Sequence, residues 1–579
     1  MESLQAKLSQ TVKELYGVDL QPEFTRPEAQ FGDFATNAAM KLAAQLGKPP
    51  REIAETLSET LRSLDGIAKA EVAGPGFINL TVTDEILLNE MQSVASRGDK
   101  YGCTDTWAGK TVVTEYSDPN PFKVLHAGHL YTSVVGDSIS KLFEAAGANV
   151  HSVNFGGDVG LHVGKSMWAI LKKLEGENPE KLDEVPAKER ANWMAEAYVT
   201  GTAAYEDDEI AKHDITELNK RVYQLFADND HESQFARIYW TTRQWSYDYF
   251  DAFYARIGSH FEKYYPESEV ADLGLRTVKE HQAQGVFEES DGAIVFKGEP
   301  HGLHTRVFIN SQGLPTYEAK DVGLVMSKFR DYKFDKSVII TGSEQQQYME
   351  VVIKAIEQFE PELAKATTHL THGMVKLQGG QKMSSRKGNI LKAVDVLDAA
   401  AAANHKATGK DDERVTLGAV KYAFLKQRMG PDIIFHPDES VNLEGNSGPY
   451  LQYAHARAAS ILRKAWTISA PESSADEVSD ASVNTQETHL TEALEPAERL
   501  LLRKISEYPD VVASAVDDLM PHYVATYLYE LAQTFNRFYE HNRVVGDTRQ
   551  ALRLQLIKTY TQILKNGLGL LNIDAPDSM

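Results

Sequence analysis

Two histidines three residues apart are the first sign of chemistry in this chain of 579 residues. They lie in Pro119-Asn120-Pro121-Phe122-Lys123-Val124-Leu125-His126-Ala127-Gly128-His129-Leu130. A β-rich run, TVVTEYS, and a Pro-rich turn precede them, and a helical pattern from about His126 to Ala145 follows. At that spacing both imidazoles share one helical face. A helix N-terminus draws phosphate through its free N–H groups and its dipole. Imidazoles placed there can donate to phosphate oxygens as charge develops in a displacement. Gly128 lets a flat nucleotide ring come close to the backbone. Taken alone, the pair reads sooner as a metal-binding pair or as two surface histidines. His301-Gly302-Leu303-His304 repeats the spacing without a helical pattern behind it and reads as structural.

The second signal is Gly380-Gln381-Lys382-Met383-Ser384-Ser385-Arg386-Lys387-Gly388-Asn389, after the run THGMVKL. Lys382, Arg386 and Lys387, with the hydroxyls of Ser384 and Ser385, can neutralise a triphosphate. Alone it is a basic surface loop. A histidine pair at a first strand–helix turn together with such a loop after a late strand is far more specific.

The elements that must carry these groups follow from patterning. TVVTEYS, a helix and VHSVNF make a strand–helix–strand unit of a parallel sheet. KSVIITG, a helix from Gln345 to Phe359, and THGMVKL repeat the alternation. The helical stretch at about 165–270 exceeds what such a sheet needs and reads as an insertion. Residues 1–108 form a small α+β module, with helices around Leu4–Leu15, Ala38–Leu46 and Ile53–Leu61 and a hairpin at AEVAGPGFINLTV. Asp33 or Thr36 caps the second of these helices. Helical periodicity dominates 395–579, interrupted by an acidic linker at about 469–490. The fold class is α/β: a parallel-sheet domain over 109–394 between an α+β module and an all-helical domain.

Composition narrows the classes. Hydrophobic residues make up 42% and charged residues 25%, as in ordinary folded proteins. Cys103 is the only cysteine, which excludes an intrachain disulfide and Cys-based zinc sites. The start carries no apolar signal core, and no run of about 18 apolar residues occurs, so a cytoplasmic protein without a membrane span is expected. The net charge of −23 argues at first against a nucleic-acid partner.

The two motifs together resemble those of class I aminoacyl-tRNA synthetases, which implies that 109–394 is a Rossmann-like catalytic domain. His126-Ala127-Gly128-His129 matches the HIGH-type motif, and Lys382-Met383-Ser384 with Gly388-Asn389 matches the KMSKS-type loop. The family's second lysine is Ser385 here, and either Arg386 or Lys387 takes over its charge. Glu115-Tyr116-Ser117-Asp118-Pro119-Asn120 and Tyr317-Glu318-Ala319-Lys320-Asp321 are similar to the arginyl members. A guanidinium is a planar, permanently charged fork of donors, best held by carboxylates. The resemblance implies that Glu115 and Asp321, helped by Tyr317, bind that fork. It places Ser117, Asn120 and Gln345 around the rest of the arginine. It implies ATP contacts from Pro119, Gly128, His126, His129, Met383 and Ser384, and from the strand carrying His372, Met374 and Val375. His126, His129 and Lys382, with Arg386 or Lys387, become the catalytic groups.

The ends resemble the same family. Phe31-Gly32-Asp33-Phe34-Ala35-Thr36-Asn37 is similar to a tRNA-contacting element, which puts Phe31, Asp33 and Asn37 on tRNA. Ser447 to Arg457 is similar to the entry of an anticodon-binding domain, which adds Gln452, Tyr453, Arg457 and, further on, Tyr539. The aromatics Tyr527, Phe535 and Phe538 read mainly as helix packing.

The implied reaction is arginine–tRNA ligation through an arginyl-adenylate, with ATP arriving with Mg²⁺ and no resident metal. The expected partners are arginine, ATP and the tRNA for arginine, and the expected state is a monomer. Rivals are a synthetase for another amino acid, a nucleotidyltransferase of the same superfamily, and a non-catalytic RNA-binding paralogue. The charge does not oppose tRNA. Eight acids and no Lys or Arg lie between Lys464 and Arg499, whereas 499–565 carry nine basic and seven acidic residues. Charges beyond about 10 Å are screened at roughly 0.1 M salt, so local basic surface survives a negative total.

Overall fold

The computed structural model describes residues 2–377, 391–469 and 493–579. The loop Gly380–Asn389, with Lys382, Met383, Ser384, Arg386 and Lys387, lies outside the described residues, as does most of the acidic linker.

Among the described residues five strands form a wholly parallel sheet, in the spatial order Thr367–His372, Lys336–Gly342, Thr111–Glu115, Asn149–Gly156 and Lys263–Pro266. Its strands read as continuous apolar runs because both faces are covered. Val112, Val113, Val338 and Ile340 have no exposed surface. The chain runs from the central strand Thr111–Glu115 to one edge, then returns to build the other side. The order of connection therefore reverses between Thr111–Glu115 and Lys336–Gly342. In such sheets the crevice beyond the carboxyl ends of the strands at that switch is where ligands bind.

One expected strand is broken. THGMVKL divides between Thr367–His372 in the main sheet and Val375–Leu377, which pairs with Ile433–Phe435 in a separate ladder. Gly373 marks the break, where the backbone presses on Pro431; a Cβ there would lie 2.3 Å from its carbonyl oxygen.

The helical insertion is observed as Leu161–Lys173, Arg190–Asp207, Glu209–Ala227 and Gln234–Ile257. Its expected end near residue 270 is corrected by strand Lys263–Pro266, an edge strand of the parallel sheet and so part of the catalytic fold. That strand, KYYP, is too short to give a period of its own. An antiparallel sheet over 288–309 follows, in which His301 stacks on Phe296 with centroids 5.6 Å apart.

The N-terminal module packs helices Glu2–Tyr16, Ala38–Leu46 and Pro50–Arg62 on an antiparallel sheet. In Pro50–Arg62 the buried side chains Ile53, Leu57 and Leu61 recur every four residues, as one apolar stripe requires. The C-terminal region is helical, and Tyr527, Phe535 and Phe538 are buried in it as packing residues. No helix among the described residues is long and apolar enough to cross a membrane.

Candidate active site

A cavity of about 720 Å³ opens at the switch point. One wall is the start of the helix Ala127–Ala145. There the two histidines close a reciprocal cap: Gly128 N–H donates to His126 Nδ1 at 3.1 Å, and His126 N–H donates to His129 Nδ1 at 3.1 Å. Both Nδ1 atoms are acceptors, so in the neutral rings the proton sits on Nε2. The rings stack with centroids 3.7 Å apart. Gly128 has a reason besides ligand approach: a Cβ there would lie 2.9 Å from His126 Nδ1.

Burial first, then the charge of Lys123 and the neighbouring His372, lowers the His126 pKa to about 4. Burial and His126 itself hold His129 well below the usual histidine range. Both rings still line the cavity. Near neutral pH the site therefore presents two uncharged Nε2–H donors at a helix N-terminus. Such a pair suits an oxygen that gains negative charge.

The opposite end is acidic. Glu115 ends its strand as expected and points at the cavity, but its carboxylate already pairs with the ammonium of the fully buried Lys328, which also donates to Ser337 Oγ at 3.1 Å. Asp321 lies one turn into the helix Tyr317–Tyr332 and accepts from the Tyr348 hydroxyl. Burial, with Glu115 and Glu267 nearby, raises the Asp321 pKa to about 8 against the lowering by Tyr348.

Two further carboxylates were not anticipated. Asp118 accepts Phe155 N–H at 2.8 Å, and burial beside Glu115 raises its pKa well above the carboxylate range. Glu267 forms a buried ion pair with Lys320 at 2.5 Å. Ser117, Asp118 and Phe122 all have positive φ, so the turn after the central strand is a strained backbone that aims these groups. Asn120 Oδ1 accepts Gly157 N–H at 2.7 Å, close enough that a side chain at 157 would strike it.

The cavity brings together Glu115, Ser117, Asn120, His126, Gly128 and His129, with Tyr317, Asp321, Gln345, His372, Met374 and Val375 from later elements. Pro119 is the exception. It is buried behind the wall, where its carbonyl oxygen would meet a Cβ on Gly156 at 2.5 Å. Met374 is narrowed: its N–H is spent on Asp432 Oδ1 at 2.8 Å.

Residues 90–436 match the family described as tRNA synthetases class I (R), catalytic domain. Residues 451–579 match a DALR anticodon binding domain, and 2–82 an arginyl tRNA synthetase N terminal domain. An arginine–tRNA ligase of Clostridium perfringens is 30% identical over 568 residues, covering 96% of this chain and 95% of that protein. One from Porphyromonas gingivalis is 29% identical with both chains fully covered. The chain belongs to the class I arginyl-tRNA synthetases. It activates arginine with ATP and charges tRNA with it. The arginyl-tRNA synthetase of Thermus thermophilus shares the fold over the whole of both chains, with a TM-score of 0.78 at 24% identity.

The expected tRNA residues of this synthetase divide into exposed and committed ones. Phe31 and Tyr453 are exposed. Arg457 lies over the Tyr539 ring at 4.8 Å. Asn37 Oδ1 is shielded and has no hydrogen-bond partner among the described residues; Thr36, not Asn37 or Asp33, accepts from the helix, through Ala38 N–H at 3.2 Å. Asp33 is corrected. It is buried, accepts Val82 N–H at 2.8 Å and pairs with Arg499 at 2.6 Å, so it joins the N-terminal module to the helical domain. Gln452 is corrected too. It has no exposed surface and donates to the carbonyls of Arg414 and Asp574.

Proposed function

We propose the following division of labour within arginine activation. Glu115 and Asp321 hold the guanidinium, with Tyr317 at the mouth and Asn120, Ser117 and Gln345 around the α-amino and carboxylate groups. The ATP phosphates lie along the histidine wall. The arginine carboxylate attacks the α-phosphate in line, the bond to the β-phosphate breaks, and pyrophosphate leaves. Little covalent work falls to the protein, which contributes position and charge. His126 and His129 donate from Nε2 to the phosphate oxygens. Lys382, with Arg386 or Lys387, neutralises the leaving pyrophosphate. Mg²⁺ comes in on the triphosphate as part of the ATP substrate. The 3′ hydroxyl of the tRNA then attacks the adenylate carbonyl and AMP departs.

The observation that carries this reading is one cavity lined both by the paired histidine donors and by four acidic side chains, Glu115, Asp118, Glu267 and Asp321. A cation-specific pocket beside a phosphate wall suits arginine and ATP jointly. Residues 1–108, 109–394 and 395–579 would then serve as tRNA-contacting, catalytic and anticodon-binding domains of a monomer working in the cytoplasm. The test is ATP–pyrophosphate exchange with each of the twenty amino acids, with and without bulk tRNA. Exchange is expected with arginine alone. Exchange driven by another amino acid would overturn the assignment of the acidic pocket.

A further inference from the structure

The segment Leu570–Pro576 is tied to two parts of the molecule at once. On one side it is held by the helical domain. Lys421 Nζ donates to Asn572 O at 2.6 Å, Gln452 Nε2 to Asp574 O at 3.0 Å, and His455 Nδ1 to Pro576 O at 2.9 Å. Gln452 and His455 form the inner face of the helix Gly448–Ser469, and Tyr453 is on its exposed face.

On the other side the segment grips the catalytic domain. Ser138 Oγ donates to Leu570 O at 2.8 Å. Asn572 Nδ2 donates to Gly258 O at 3.0 Å and to Asp137 Oδ2 at 3.3 Å. Asp137 and Ser138 belong to the histidine helix. The other oxygen of Asp137 accepts the Tyr116 hydroxyl at 2.8 Å, and Ser259 donates to the carboxylate as well. Tyr116 lies between Glu115 and Ser117, and its buried ring packs so tightly on Gly136 that a Cβ there would sit 2.1 Å from it. Asn572 itself has a φ of 53°, a conformation that Asn tolerates better than most residues.

We propose that Asn572 is a positioning residue for arginine: anchored by the helical domain, it fixes Asp137, and through the Tyr116 hydroxyl it sets the strand end that carries Glu115 and Ser117. The inference rests on the reading that Glu115 contacts arginine.

The test uses the full chain with Asn572→Gly, Tyr116→Phe and the double variant. Glycine accepts the positive φ and removes the side-chain amide with its methylene. Each single change is expected to raise the arginine KM about fivefold or more, the loss of a hydrogen bond to a charged group, while the ATP KM stays within about twofold. Because both act on one path, the double variant should be little worse than the worse single. Equal rises in both KM values, or a double effect equal to the product of the singles, would overturn the proposal. If Asn572→Gly lowers the melting temperature enough to blur the kinetics, Ser138→Ala removes the second tether instead and must give the same split; its absence counts against the proposal. Glu115→Gln separates the two readings. If it leaves the arginine KM unchanged, the reading of the pocket has failed; if it raises that KM while Asn572→Gly does not, only the inference has failed.

Discussion

His129 Nδ1 accepts the backbone N–H of His126 at 3.1 Å, so one histidine holds the other at the start of the helix. Capping and donation are thereby assigned to different nitrogens of each ring. Asparagine at 129 can mimic the capping Nδ1 but has no group at the Nε2 position. His129→Asn is expected to keep the melting temperature and slow adenylate formation by about 10²-fold, the usual cost of one transition-state donor. Rapid-quench measurement of adenylate formation checks it. With the His126 pKa at about 4, the same assay should show no inflection near pH 6.5.

Arginine binding should release a proton. Asp321, with its pKa at about 8, is largely protonated in the empty pocket at pH 7, and a guanidinium beside it favours the carboxylate. The arginine KM is expected to fall as pH rises from 6 to about 8 and to level off above. The ATP KM should not follow. Stability runs the other way. Between the ordinary carboxylate value and pH 8 the folded chain binds more protons here than the unfolded chain, so this group lowers stability as pH rises through that window. Asp321→Asn should thus raise the melting temperature at pH 8 while abolishing arginine binding, as calorimetry with and without arginine would read.

The pairing of Glu115 with Lys328 predicts a stability cost separable from function. Glu115→Gln leaves a buried ammonium unpaired, which costs about 3 kcal/mol or more. Glu115→Gln combined with Lys328→Met removes both charges and should recover most of the denaturation midpoint. Arginine affinity should not return in the double variant. Recovery of affinity together with stability would assign Glu115 a purely structural role.

Local signals were legible in the sequence and long-range partners were not. KSVIITG and Ala38–Leu46 coincide with observed elements because a fully buried strand and an amphipathic helix each have a recognisable pattern. The cavity residues Glu115, Asn120, His126 and His129 could be found because they sit within one short motif. Lys328 could not, since its partner is 213 residues away and nothing local distinguishes a buried lysine from a surface one. Asp118 was visible in the motif, yet its burial follows from a turn with two successive positive φ values that no glycine announces. Gln452 was misread because an exposed and a buried residue alternate on one helix, and only the tail at Asp574 decides which faces inward.

Asp33 shows the same limit and gives the last prediction. Its partner Arg499 is 466 residues away and also pairs with Asp84 at 2.6 Å, so one guanidinium joins two acids of the N-terminal region to the helix Pro496–Ile505. Asp33→Ala would leave Arg499 short of one partner and Val82 N–H without its acceptor. The expected result is loss of about 2 kcal/mol or more, with the N-terminal module becoming sensitive to limited proteolysis. Phe31→Ala, on the exposed side of the same motif, should leave stability within about 0.5 kcal/mol and raise the tRNA KM without changing that for arginine. If both variants changed the tRNA KM equally and neither changed proteolysis, Asp33 would belong to the RNA-contacting surface after all.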